Sequence, residues 1–203
     1  MKLITMTQMT LDGVMQGNGP GTAEERKAGF ERGGWAFGRS DDDTRDFIFD
    51  AYERADAFLF GRRTYDLFHD SWGTIDEMRA HRVGVALSNA PKYVASRTLT
   101  DPRWERTTVL DDDLAASITA LKARPGGELQ VHGSGELIRW LLAHQLVDEM
   151  TMIVIPVILG QGARLFPHDG PDVALDVVES RLDSRGVAIT TYRPTGRPEY
   201  VRA

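Results

Sequence analysis

The sequence predicts an α/β protein of three layers, with helices on both faces of a mixed sheet. Three observations predict it. Short apolar stretches of strand length alternate with segments of helical period along most of the chain. Several of those strands end in glycine or small polar residues and run straight into a helix. The last two strands, Val173 to Glu179 and Val187 to Tyr192, follow one another across Asp183–Gly186, which reads as an antiparallel hairpin. The 203 residues are 41% hydrophobic and 27% charged, which suits one domain over 1–203 with a sizeable core.

Lys2 to Met9 alternates apolar and polar residues as a first strand, and Asp12-Gly13 after it is a turn signal. Gln16 to Gly21 is rich in Gly and Pro and reads as loop. Ala23 to Arg39 also reads as loop, with Trp35 and Phe37 among polar neighbours; so long a loop is expected to be a lid or a binding loop. Asp41, Asp42 and Asp43 open a helix whose Phe47, Ile48, Ala51 and Tyr52 recur at helical spacing. A metal site is the other reading of that triplet, but adjacent carboxylates at a helix start are ordinarily solvated, and no metal is expected. Ala57 to Phe60 is a wholly apolar strand, and Gly61, Arg62, Arg63 and Thr64 open a helix that runs to Phe68.

Ser71 to His81 reads as loop plus a helix carrying Trp72, Ile75 and Met78. Lys92 to Thr98 is a strand ending in Ser96 and Arg97, and Thr107 to Leu110 is another. Asp111 to Ala123 is an N-capped helix with Leu114, Ile118 and Leu121 on one face, ended by Pro125-Gly-Gly127. Leu129 to His132 is a strand, followed by Gly133, Ser134 and Gly135. The next helix buries Leu137, Ile138, Leu141 and Leu142 and turns Glu136, Arg139 and His144 to water, with Trp140 at the edge. Val147 to Glu149 is a turn, Met150 to Val157 a buried strand, and Gly160 and Gly162 form a loop before Leu165 and Phe166.

Composition narrows the function classes. The formal net charge of -6 is not the basic footprint of a nucleic-acid binder. The absence of cysteine excludes disulfides and thiolate metal sites and fits a reducing compartment. No signal peptide and no apolar run of membrane-spanning length is visible, so a cytoplasmic protein with no membrane partner is expected.

Three strand ends carry candidate ligand residues: Gly61 to Thr64, Ser96 and Arg97, and Gly133 to Glu136. Glycines leave no Cβ above a turn, and the helix behind it points unpaired N–H groups at the open space, a natural place for phosphate. Arginines in a first helical turn oppose the helix dipole unless an anion binds there. The bland readings are a structural turn and two solvated arginines. His132 near Ser134 has a hydrolase reading, but no Gly-x-Ser-x-Gly elbow is present and His132 reads as the end of a buried strand.

Taken together and in order, Leu11-Asp12-Gly13, Gly61 to Tyr65, Ser96-Arg97, His132 to Gly135, Leu146 to Glu149 and Pro156 to Gly162 with Leu165-Phe166 resemble the dihydrofolate-reductase-like superfamily. The chain looks closest to the reductase (C-terminal) domain of the bifunctional deaminase-reductase of riboflavin biosynthesis. The resemblance implies a mostly parallel sheet with a C-terminal antiparallel hairpin, and NADPH as cofactor. It implies that Gly61, Arg62, Arg63 and Thr64 hold the 2′-phosphate side and the pyrophosphate, and that Ser96 and Arg97 border the adenosine phosphate. Gly133, Ser134 and Gly135, with the backbone of Glu136 and Leu137, would cradle the pyrophosphate. Asp12 and Gly13 would lie beside the nicotinamide and a small heterocyclic substrate, pyrimidine- or pterin-like, with Trp35 from the long loop. Asp12 is the one catalytic candidate.

Some of the pattern departs from the superfamily. The carboxylate that binds a pterin has no clear match in Asp46 or Asp50, and the aromatic residue expected at Ile138 is absent, which turns the reading away from folate. Without cysteine the chain has no zinc deaminase motif. The implied activity is reduction like that of 5-amino-6-(5-phosphoribosylamino)uracil reductase, in a homodimer built on Met152 to Leu159 and the hairpin. The alternative is a nucleotide-binding or oligomerising protein of the same fold without catalysis.

Overall fold

The computed structural model describes residues 1–110 and 112–201. The strands are β1 (Lys2–Thr10), β2 (Ala55–Gly61), β3 (Lys92–Ala95), β4 (Thr107–Leu110), β5 (Glu128–His132), β6 (Glu149–Ile155), β7 (Ala174–Leu182) and β8 (Ala188–Gly196). They form one sheet in the order β4-β3-β2-β5-β1-β6-β8-β7. Pairing is parallel from β4 to β6 and antiparallel for β6–β8 and β8–β7. The expected class, with its C-terminal antiparallel pair, is what the chain adopts.

The helices are α1 (Ala23–Lys27), α2 (Asp42–Glu53), α3 (Arg62–Phe68), α4 (Asp76–Ala80), α5 (Arg82–Asn89), α6 (Leu114–Lys122) and α7 (Gly135–Ala143). The two-residue period of β2 explains why both faces are covered. Phe58 and Phe60 enter one core with Tyr52 of α2, Tyr65 of α3 and Leu87 of α5. Ala57 and Leu59 enter the other with Ile118 and Leu121 of α6 and Leu137, Ile138 and Leu141 of α7. Burying each such large side chain contributes roughly 1.5–3 kcal/mol, so a strand apolar on both faces belongs in the middle of the sheet.

Several readings of the sequence need correction. Ala23 to Arg39 is not all loop: Thr22 and Glu25 form a reciprocal capping box that nucleates α1. The stretch after α3 continues as a π-helical turn, His69–Gly73, before the short α4. Helix α5 was not foreseen; its start is capped by the His81 ring, which accepts from the Val83 N–H. Helix α6 begins at Leu114 with Asp113 as its cap, and Asp111 lies outside the described residues. Strand β3 stops at Ala95, and β6 runs from Glu149 to Ile155, so Glu149 belongs to the strand and not to the preceding turn.

One buried cation marks the far end of the sheet. Lys92 at the start of β3 is fully buried, donates to the Leu87 and Ala90 carbonyls at 2.7 and 2.9 Å, and lies 4.8 Å from the Trp104 ring. Burial pulls its pKa down to about 8. No helix among the described residues is long and apolar enough to cross a membrane.

Candidate functional site

Strand order places the site. Strands β2 and β5 are neighbours, yet from β2 the chain leaves towards β3 while from β5 it crosses β1 to reach β6. Neighbouring parallel strands whose connections diverge leave a crevice at their carboxyl ends, where open α/β sheets bind ligands. Gly61 ends β2 and Gly133 follows β5, so both glycine turns open on this crevice.

The two turns are joined directly. Ser134 sits in the left-handed region at φ 61° and ψ 64°, a conformation costly for a residue with a side chain. Its hydroxyl accepts the Gly61 N–H at 2.9 Å. A Cβ on Gly61 would stand 3.1 Å from the Ser134 Oγ and 3.3 Å from its Cβ, so a side chain there would crowd the contact. Because Ser134 reaches sideways to Gly61, no side chain caps α7. The first intrahelical bond is from the Ile138 N–H to the Ser134 carbonyl at 2.9 Å, which leaves the N–H groups of Gly135, Glu136 and Leu137 ahead of it. The helix buries Leu137, Ile138, Leu141 and Leu142 as its period requires. What this end of α7 can do chemically is hold an anion.

The other expected residues surround this junction unequally. Gly61 pairs with Ala95 in register, so Ser96 and Arg97 follow the neighbouring strand end. Thr64 faces the second glycine turn: its Cγ2 is 3.8 Å from where a Gly133 Cβ would be. Arg62 donates through Nε to Asp66 at 2.6 Å, one helical turn on. Arg63 and Arg97 are exposed, and among the described residues neither is in an ion pair. The Ser96 hydroxyl accepts the N–H groups of Thr98 and Leu99 at 3.2 and 3.1 Å, so it shapes its own turn.

Asp12, the catalytic candidate, is held by four donors. It accepts from the Thr10 hydroxyl at 2.6 Å, from the Leu159 and Gly160 N–H groups at 3.1 and 2.8 Å, and from Arg164 at 3.2 Å. The Thr10 bond above all, with the two backbone donors, holds its pKa far below the usual carboxylate range. It is an ionised clamp between two loops, and Gly13 at φ 81° makes the turn that presents it. Trp35 does not face solvent as part of an open lid: it is 8% exposed, packed in the α2-side core, and its indole N–H donates to the Gln16 carbonyl at 2.7 Å. His132 stacks on Tyr52 at 3.9 Å and bonds Gln130 at 2.7 Å, and burial lowers its pKa to about 3. It is a neutral core histidine with no bond to Ser134, so the hydrolase reading has no dyad.

Sequence reasoning missed Met15, Arg139 and Arg164. A Cβ on Gly135 would lie 2.8 Å from the Met15 Sδ and 3.1 Å from the Arg139 Nη1. Arg139 was expected to face water, but its Nη1 donates to the Leu165 carbonyl at 3.0 Å. Side chains on a helix lean towards its N-terminus, which is the signal that Arg139 reaches back over Gly135. Met15 carries no such signal; it arrives because Met15 and Gln16 donate to the Ala163 carbonyl at 2.9 and 3.4 Å.

The family model described as the RibD C-terminal domain matches residues 1–189. The uncharacterised protein YyaP of Bacillus subtilis (strain 168) is 28% identical over 152 residues, covering 72% of this chain and 78% of its own length. Among solved structures, a protein from Shewanella sp. PV-4 named for riboflavin biosynthesis superposes with a TM-score of 0.72 at 24% identity, over 96% of this chain and 99% of that one. A pyrimidine reductase-like protein from Corynebacterium diphtheriae superposes with a TM-score of 0.61 at 13% identity, over 96% of this chain and 92% of that one. At those identities the two structures speak for the fold.

Proposed function

This chain belongs to the RibD C-terminal domain family, and from that premise we propose that it is an NADPH-dependent oxidoreductase acting on a small heterocyclic substrate of pyrimidine or pterin type. The observation that carries the reading is the Ser134–Gly61 contact, which joins two glycine turns at the switch point of the sheet and leaves the α7 N-terminus without a side-chain cap. When bound, the cofactor supplies a hydride; the protein supplies binding and orientation.

The residue roles follow from position and charge. The backbone of Gly133, Ser134, Gly135, Glu136 and Leu137 holds the pyrophosphate, and Gly61 and Thr64 close its other side. Arg63 and Arg62 take the 2′-phosphate, with Ser96 and Arg97 along the adenosine. Asp12 and Gly13 set the wall beside the substrate, and Trp35 supports that wall from the core. Asp12 stays ionised at neutral pH, so it is not the source of the proton that accompanies the hydride. The protein is read as one domain over 1–203, cytoplasmic, and a homodimer; β7, the exposed edge strand with Val177 and Leu182 outward, supports the last point.

The second reading is a nucleotide-binding protein of this fold without catalysis. One observation favours it: Asp12, the acid nearest the expected substrate wall, is committed to four hydrogen-bond donors. Calorimetric titration with NADPH, followed by NADPH oxidation against pterin, uracil-type and quinone acceptors, separates the readings. Binding with turnover supports the reductase, binding without turnover over the whole panel supports the second reading, and no binding rejects both.

A further inference from the structure

We infer that Met15 is the side chain a phosphate-bearing ligand displaces to reach the α7 N-terminus, which makes it a specificity-determining residue of the site. The inference rests on the cofactor reading above. The Met15 Sδ stands 2.8 Å and its Cε 3.7 Å from the position of a Gly135 Cβ, and the same Cε is 4.0 Å from that of a Gly133 Cβ. The thioether therefore lies against Gly135, with its methyl at the edge of contact with Gly133. Sulfur is a weak acceptor, so the N–H groups of the first turn of α7 gain no strong partner from it. A phosphate seated against the side of Gly135 that carries no Cβ needs the volume the thioether fills.

The backbone beneath this side chain is fixed. The Met15 N–H donates to the Ala163 carbonyl at 2.9 Å, and the Val14 N–H to the Thr10 hydroxyl at 2.9 Å. Val14 also bridges Arg164 across the two loops. Motion is thus confined to the side chain, which is unbranched with three rotatable bonds. Across the same space lies Arg139. Its Nη1 is engaged with the Leu165 carbonyl, and among the described residues the guanidinium has no carboxylate partner. Withdrawal of Met15 opens the remaining donors of Arg139 to the ligand that the helix end attracts. The Met15 thioether and the Arg139 guanidinium thus meet over the same glycine at the start of α7.

The test uses the full chain with its seven methionines 13C-labelled at the methyl groups, the Met15 signal being assigned with Met15→Leu. On titration with NADPH the Met15 methyl signal is expected to shift, and inorganic pyrophosphate alone is expected to move it in the same sense. Met15→Ala, which removes the competitor, is expected to bind NADPH roughly threefold to tenfold tighter, the scale of one ordered side chain. Met15→Ile, stiff at χ1, is expected to bind it weaker by a similar factor. A Met15 signal unmoved at saturating NADPH, or Met15→Ala binding no tighter, overturns the inference and leaves the cofactor reading standing. Failure of NADPH to bind at all overturns the reading and the inference together. If Met15→Ala does not fold, the methyl shift in the wild-type chain decides.

Discussion

Arg62 and Arg63 are adjacent in sequence, yet their replacement by Ala is expected to have different consequences. Arg63 is exposed and, among the described residues, free of carboxylates. A hydrogen bond to a charged group contributes roughly 1.5–3 kcal/mol, and solvent screening at an exposed arginine argues for the lower end. Loss of about 1.5 kcal/mol is about a tenfold loss of affinity. Arg63→Ala is therefore expected to weaken NADPH about tenfold, to leave NADH nearly unchanged, and to leave folding stability within about 0.5 kcal/mol of wild type.

Arg62 behaves otherwise because of Asp66. Its Nε holds the Asp66 Oδ2 at 2.6 Å, while the Asp66 Oδ1 is buried without a hydrogen-bond partner and has Arg103 only at 4.0 Å. Arg62→Ala removes the one hydrogen bond that this half-buried carboxylate has among the described residues, which costs about 1–3 kcal/mol. In a chain of this size each kcal/mol lowers the melting temperature by about 2–4 °C. The assay is calorimetric titration of both cofactors at fixed ionic strength, beside thermal unfolding of each variant. Equal losses for NADPH and NADH in Arg63→Ala would refute the 2′-phosphate assignment. Equal destabilisation by the two substitutions would refute the role given to Asp66.

Three further outcomes are expected. Ser134→Ala leaves the Gly61 N–H without its acceptor and should cost about 1–3 kcal/mol in thermal unfolding; an unchanged melting temperature would show that the Ser134–Gly61 contact carries no stability. His132 has a folded pKa of about 3 against 6.5 unfolded. The unfolded chain therefore binds the extra proton, and stability present above pH 6.5 is lost as pH falls towards 3, by at most about 1.4 kcal/mol per unit. His132→Phe, which keeps a ring on Tyr52, should flatten that acid limb in denaturant melts across pH, and an unchanged limb would assign it to the carboxylates. Lys92 has a folded pKa of about 8 against 10.5, so its neutral form is favoured by folding and stability should rise from pH 8 towards 10. Lys92→Met should abolish that rise; a rise that persists would mean another group causes it.

The strand ends were legible because their chemistry is local. Gly61, Gly133 and Gly135 announce sharp turns wherever they fall after an apolar strand, and the period of Leu137, Ile138, Leu141 and Leu142 announces the helix behind them. Partnership was not legible. Ser134 satisfies Gly61 from 73 residues away, and Asp12 accepts N–H groups 147 and 148 residues distant besides the Thr10 hydroxyl beside it. Helix α5 carries Val83, Gly84 and Val85, residues of low helix propensity, and is held by packing of Val83 and Leu87 and by Lys92 at its last carbonyls. Helix α1 was readable, since Thr22-x-x-Glu25 is a capping-box pattern; the surrounding glycines masked it. Trp35 stands among polar neighbours in sequence, and only the fold places it in the core on the α2 side of the sheet.

The proposed function requires a dinucleotide to bind across the Gly61 and Gly133–Gly135 turns at the switch point of the sheet. Backbone amide NMR of the 15N-labelled chain titrated with NADPH measures this most directly. The largest shifts are expected at Gly61, Arg63, Gly133, Gly135, Glu136 and Leu137, with β7 and the start of β3 unmoved. Shifts absent from those amides, or gathered instead around the concavity lined by Glu53, Arg82 and Asn89 near the opposite end of β2, would contradict it.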